Sequence, residues 1–250
     1  MSSAHNINWQ KWIERYDRMQ QRYLVKRSER FDVIARLIKA VCPSPNLIVD
    51  LGCGTGSLTI RLLEEFDSAK IFAVDLDPAV LLLAEHRLKN FKNRVQIVRS
   101  DMTKMDWNQC IGADAVVSAT ALHWLRPQDI ETVYCQIHKI LRNGGIFLNA
   151  DHAGSSNNLI QRNWEFNREQ MRAQEQTQSA DDWDGFWQQF FSELGDDVRI
   201  ERQEALGQWQ GTEDGMPLQR HFQKLEQCGF ENIDCFWRCD CDAIYGAVKK

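Results

Sequence analysis

The sequence predicts an α/β protein with a doubly wound, mostly parallel sheet. Three observations carry that expectation. Between residues 47 and 150, short apolar runs alternate with amphipathic helical stretches. Several of the runs end in an acid, at Asp50, Asp75 and Asp101, and the first enters its helix through glycines at alternate positions, Gly52, Gly54 and Gly56. Strands alternating with helices build a parallel sheet covered on both faces, with ligands beyond the carboxyl ends of the strands.

Residues 8 to 41 read as two helices, and residues 1–43 as a helical cover. Trp9, Trp12, Ile13, Tyr16 and Met19 form an aromatic-rich stripe, and Phe31, Ile34, Ile38 and Val41 form a second apolar face beginning near Ser28. Pro43 and Pro45 close the second helix. The first stripe, mixed with Arg15 and Arg18, either packs on the body of the domain or covers a ligand.

The run Leu47-Ile48-Val49-Asp50-Leu51 is a buried strand, and Ser57-Leu58-Thr59-Ile60-Arg61 resumes with helical spacing. Glycines allow the sharp turn and a close backbone approach. In the dinucleotide fingerprint the third glycine comes three residues after the second; here it comes one residue early. Asp50 at the mouth of the turn would repel a phosphate and favour a cation within the Debye length of about 10 Å.

Lys70-Ile71-Phe72-Ala73-Val74 is the second strand. Asp77 is placed to cap a helix with Pro78 at its first position, running to about Asn90. That leaves Asp75, 19 residues past Gly56, to accept ribose hydroxyls from a strand end. The third strand, Arg94 to Met102, ends in Asp101 and Met102, suited to an adenine amino group and ring face. Ala113 to Ser118 is the fourth, followed by Leu122-His123-Trp124. Pro127 starts a helix to about Arg142, Asn143-Gly144-Gly145 breaks it, and Ile146 to Ala150 is the fifth strand. Residues 153–216 carry Trp164, Phe166, Trp183, Phe186, Trp187, Phe190 and Phe191. So long a segment is expected to be a helical insertion, either a lid over the cleft or helices packed on the domain edge. Pro217 begins a last helix stopped by Gly229, and strands Phe230–Arg238 and Asp242–Val248 close the chain.

The glycine turn at 50–56, the acid at 75, Asp101-Met102, Ser118 with Leu122-His123-Trp124, and Asn143-Gly144-Gly145 before a strand together resemble the class I S-adenosylmethionine (SAM) methyltransferases that act on small molecules. The resemblance covers about residues 46–152 and the closing hairpin. It implies a Rossmann-like fold of seven strands, the last inserted antiparallel, and SAM as cofactor. By the same resemblance Gly52 and Gly54 line the methionine moiety, Asp50 lies near its ammonium, and Asp75 with Leu76 holds the ribose. Asp101 and Met102 flank adenine, and Ser118 contributes near the methionine end.

Methyl transfer to O or N requires an unprotonated lone pair, so a base is expected. His123 is the first candidate, since histidine titrates near neutrality. His152 is second, as a base or substrate contact, and Trp124 and Tyr16 are candidate substrate contacts. A structural cleft-wall role is the alternative for His123 and Trp124. The rival functions are an RNA or protein methyltransferase, an NAD-dependent oxidoreductase and a non-catalytic SAM-binding protein.

Length and composition fit one soluble domain over residues 1–250, with 43% hydrophobic and 26% charged residues. A net charge of −5 gives no bulk attraction to nucleic acid or anionic membrane. The start lacks a secretory pattern, and no apolar run nears the ~20 residues of a membrane span, so a cytoplasmic enzyme is expected. Eight cysteines spread along the chain argue against a disulfide framework. Cys228, Cys235, Cys239 and Cys241 lack zinc spacing; the last three share strand parity with Trp237 and read as buried thiols, with no metal site expected.

Overall fold

The computed structural model describes residues 7–175, 181–207 and 215–250. The first six residues, read above for a leader, and residues 176–180 and 208–214 of the insertion lie outside the described residues. Two helices lead the chain, α1 (Trp9–Tyr23) and α2 (Arg27–Val41). The alternating region follows as β1 (Leu47–Leu51), α3 (Ser57–Glu65), β2 (Lys70–Asp75), α4 (Pro78–Arg87), β3 (Val95–Arg99), β4 (Ala113–Ala119), α5 (Pro127–Ile140) and β5 (Leu141–His152). The insertion folds as α6 (Asn158–Glu175), α7 (Trp183–Leu194) and α8 (Asp196–Leu206). Then come α9 (Leu218–Gln227), β6 (Asn232–Cys239) and β7 (Asp242–Val248).

The seven strands lie in the order β3-β2-β1-β4-β5-β7-β6. The first five are parallel, and β7 runs antiparallel to both of its neighbours. Strand order reverses between β1 and β4, which opens a crevice at their carboxyl ends.

Alternation along each strand feeds two cores. Val49, Leu51, Val74, Val116 and Phe147 pack with α5 and α9, while Ile48, Ile71, Ala73, Val117 and Leu148 pack with α2, α3 and α4. A third core is wholly helical. Trp12, Ile13, Tyr16 and Met19 of α1 meet Phe186, Trp187, Phe190 and Phe191 of α7 over Ala79, Val80 and Leu83 of α4. Between α1 and α7 the rings meet edge-on or tilted, as between Trp12 and Phe186 at 5.6 Å, a geometry that aromatic quadrupoles favour. Phe186 is fully buried, so Phe186→Ala would cost about 3–5 kcal/mol and loosen α7 from α1.

Several boundaries differ from the sequence expectation. The chain enters β5 at Leu141, so Asn143-Gly144-Gly145 lies inside the strand rather than before it. A register shift opposite Ala113 and Ala115 takes up these residues. A Cβ at Gly145 would come within 3.1 Å of the Ala113 carbonyl, so glycine suits this bend. β3 stops at Arg99, β6 begins at Asn232, and α4 ends at Arg87 before a short 3-10 turn over Lys89–Phe91.

The cysteine reading needs two corrections. Cys135 of α5 and Cys228 at the end of α9 form a disulfide; they are 93 residues apart, and spacing gives no hint of the pairing. A bulge between Cys235 and Trp237 breaks the expected parity, and Cys241 lies in the turn before β7. Among the described residues no cluster suited to a metal occurs, and no helix is long and apolar enough to cross a membrane.

Candidate functional site

The crevice is a cleft of about 1050 Å³, large enough for a nucleoside together with a small second molecule. Its floor is the glycine turn. Gly52, Gly54 and Gly56 all have positive φ, at 70°, 54° and 76°, the left-handed region that glycine enters without a Cβ clash. A Cβ at Gly52 would stand 2.2 Å from that of Ala121, whereas one at Gly54 would meet nothing within 4 Å. Gly54 therefore leaves its space to whatever enters the cleft.

The amides of the turn are directed inward. Those of Gly52 and Cys53 both donate to the Val74 carbonyl at 2.8 and 2.9 Å, and that of Gly56 donates to Cys53. The Gly54 amide donates to Asp75 Oδ2 at 2.8 Å. A diphosphate would need such groups aimed at it. With these donors committed and acids around them, the site fits an unphosphorylated, cationic nucleoside instead.

Asp50 is buried, with the Thr59 hydroxyl donating to it at 2.6 Å. Burial pushes its carboxyl up to about 7 despite that hydrogen bond. Asp75 accepts the amides of Gly54 and Asp77, one on each oxygen, and each oxygen keeps a lone pair for a ribose hydroxyl. Burial pushes it up to about 6. Asp77 caps α4 through the Ala79 amide and takes Arg202 of α8 on its other oxygen at 2.6 Å. Leu76 and Met102 line the cleft beside these acids. Asp101 also lines it, accepting from the Thr103 amide and hydroxyl. Burial works upward on Asp101, but the Thr103 and Lys104 hydrogen bonds outweigh it and hold it below the usual range.

Ser118 is not on the cleft wall. It is fully buried and donates to the Leu51 carbonyl at 2.8 Å, tying β4 to β1 beneath the turn.

Two histidines also line the cleft. His123 sits in a 3-10 turn over Leu122–Trp124, with Nδ1 2.6 Å from Asp151 Oδ1 and its amide 3.0 Å from Asp151 Oδ2. Asp151 is buried at the end of β5. Burial opposes its charge, yet His123 and then His152 hold it well below the usual carboxylate range. An ionised carboxylate only accepts, so Nδ1–H of His123 is the donor, and in the neutral ring Nε2 is the basic nitrogen.

His152 repeats the pattern. Its Nδ1 lies 2.8 Å from Asp242 Oδ1, and Asp242 lies 3.6 Å from buried Arg30. The two imidazoles meet edge to face at 4.9 Å. Trp124 is 42% exposed at the rim. Tyr16 reaches the cleft from α1, its phenol pushed up by burial. The cleft thus collects every residue singled out from the sequence except Ser118.

Asp151, Asp242, Arg30 and Arg27 were not among the residues that the sequence singled out. An acid ending the fifth strand beside His152 was the available signal for Asp151. The other three come from α2 and β7, and nothing local marks them.

Residues 48–145 match the methyltransferase-domain family. The chain is 24% identical over 145 residues to carboxy-S-adenosyl-L-methionine synthase of Nautilia profundicola, covering 58% of this chain and 61% of that one. It is 31% identical over 120 residues to trans-aconitate 2-methyltransferase of Acidovorax ebreus, covering 48% and 43%. The match thus spans less than two thirds of either relative. An O-methyltransferase family protein from Burkholderia thailandensis shares the fold, with a TM-score of 0.55 at 12% identity over 87% of this chain and 55% of that one.

Proposed function

We propose that the chain, whose residues 48–145 match the methyltransferase-domain family, is a class I SAM-dependent methyltransferase that methylates an O or N atom of a small-molecule acceptor, with His123 as the base. When bound, SAM supplies an electrophilic methyl carbon on a cationic sulfur that leaves as a neutral thioether. The residues of the chain bind, orient and move a proton. Asp50 balances cationic charge at the turn, Asp75 accepts ribose hydroxyls, and Asp101 with Met102 flanks the base.

The observation that carries the reading is the Asp151 clamp on His123. One carboxylate takes both the ring Nδ1–H and the main-chain amide of His123, which fixes tautomer and ring orientation together. Nε2 then accepts the acceptor's proton as its lone pair attacks, a contribution of about 10²–10⁴-fold in general-base catalysis. Trp124 at the rim and His152 beside His123 are placed to contact the acceptor.

Access to the cleft supports a small acceptor. Tyr16 from α1 and Arg202, Ala205 and Leu206 from α8 border it, and α7 holds α1 in place through the third core. In this reading residues 1–250 form one domain, with residues 1–43 and 153–216 as its cover. Such a roof sequesters the reacting groups from water.

The test is incubation of the protein with methyl-labelled SAM and, separately, a metabolite extract, an RNA fraction and a protein fraction. Label is expected in the metabolite fraction, and His123→Ala should slow its appearance by about 10²–10⁴-fold. Label in RNA or protein alone would overturn the small-molecule reading.

A further inference from the structure

The polar groups at the glycine turn are mostly acids, yet the cofactor read above carries a carboxylate as well as an ammonium on its amino-acid tail. A carboxylate taken into a cleft needs donors, because an ionised group without them is costly to bury. Asp50 and Asp75 cannot serve.

The end of the turn does hold donors. Arg27, the first residue of α2, lines the cleft with its side chain only 16% exposed. Asp17 of α1 accepts from Arg27 at 3.2 Å, from Arg87 of α4 at 2.8 Å and from the Ser57 hydroxyl at 3.1 Å. Ser57 directly follows Gly56, so Asp17 pins the Arg27 guanidinium beside the last residue of the turn. Two guanidiniums share that one carboxylate, and the cluster of Arg27, Arg87 and Asp17 is left with a surplus positive charge. Burial works against the Arg27 cation and lowers its pKa, as expected of a charge whose compensation is incomplete.

Tyr16 adds a second donor. Its ring is held edge-on by Phe186 at 5.5 Å and by Trp187 at 6.3 Å. Its side chain lines the cleft within electrostatic reach of Arg27. Nothing among the described residues hydrogen-bonds its hydroxyl.

We propose that Arg27 and Tyr16 form an anion subsite at the end of the glycine turn that receives the carboxylate of the cofactor's amino-acid tail. The inference rests on the SAM reading and deepens it. It moves Tyr16 from acceptor contact to cofactor contact, and it gives α1 a role in cofactor binding through Tyr16 and Asp17.

A carboxylate could also belong to the acceptor, and calorimetry separates the two sources. Three probes are titrated into the parent, Arg27→Gln and Tyr16→Phe proteins: S-adenosylhomocysteine, with the whole tail; decarboxylated SAM, with the ammonium but no carboxylate; and 5′-methylthioadenosine, with neither. The parent should bind S-adenosylhomocysteine most tightly. Arg27→Gln should weaken that binding about 10- to 100-fold, consistent with loss of a charge-assisted hydrogen bond, and leave the other two within about twofold. Tyr16→Phe keeps the ring packing and should show the same selectivity at smaller size.

Equal weakening of all three probes, or unchanged S-adenosylhomocysteine affinity in both variants, would overturn the subsite. Unchanged affinity would also release Arg27 for a carboxylate on the acceptor. If the parent bound none of the probes, the SAM reading itself would fail, an outcome distinct from failure of the subsite.

Discussion

His123 and Asp151 stand 2.6 Å apart, ring nitrogen to carboxylate, with the amide of His123 closing on the second oxygen of the same group. Two hydrogen bonds from one residue to one buried carboxylate fix the imidazole in a single orientation and tautomer. A base needs such an arrangement, which the proposed role of His123 draws on.

His123→Ala should therefore lower turnover by about 10²–10⁴-fold while leaving S-adenosylhomocysteine affinity within about twofold, since a base acts on the acceptor's proton rather than on the bound cofactor. Asp151→Asn should lower turnover by a comparable factor because the ring loses its tautomer control. Steady-state kinetics with calorimetry checks both. Loss of cofactor affinity in His123→Ala would make the residue structural.

Cofactor binding should depend on pH in a direction set by Asp50 and Asp75. Burial pushes these carboxyls up to about 7 and about 6, above the ordinary carboxylate range near ~4. The folded chain thus holds more protons than the unfolded chain in that window, and stability falls as pH rises through it. A bound ammonium favours the ionised forms, so affinity should rise from about pH 5.5 to 7, by at most about tenfold per unit for each proton released. Calorimetry in two buffers of different ionisation enthalpy measures that release. Asp50→Asn should remove most of it, and a flat profile would separate Asp50 from the cationic group.

The glycine turn predicts an order of substitution effects. Gly52→Ala brings a Cβ within 2.2 Å of Ala121 and is strained at φ 70°. Gly54→Ala has room but is strained at φ 54°, about 1–2 kcal/mol. Urea unfolding should find Gly52→Ala the more destabilised of the two. S-adenosylhomocysteine titration should find Gly54→Ala impaired beyond its loss of stability, since its Cβ stands in the cleft.

His221 sets an acid limit on stability. It is buried beside the hydroxyls of Tyr134 and Tyr245, at 2.7 and 2.9 Å, and burial pushes it down to about 4. Between that value and its unfolded value near ~6.5 the unfolded chain binds the extra proton, so stability is lost as pH falls through the window, by a few kcal/mol in all. Melting temperature against pH should show this fall, and His221→Gln should flatten it. An unaltered profile in the variant would assign the acid limit to other groups.

The sheet was legible in the sequence because its information is local. The continuous apolar runs of β1 and β2, the Asp77 cap with Pro78, and acids at the ends of β1 and β2 lie within a few residues of what they specify. The partner of each histidine was not. Asp151 is 28 residues from His123, and Asp242 is 90 from His152; the sheet brings each pair together across strands. The break read at Asn143-Gly144-Gly145 failed for a related reason, since glycines mark a departure from regular backbone without distinguishing a loop from a bulge against β4. The aromatics of α1 and α7 read as apolar faces, but that they face each other is a tertiary fact.

Everything above depends on the cleft over the glycine turn taking a cationic nucleoside without phosphate. Calorimetric titration of the purified protein with SAM and, in parallel, with NAD tests it most directly. Saturable one-to-one binding of SAM and none of NAD is expected; binding of NAD, or no heat with SAM, would overturn that selectivity.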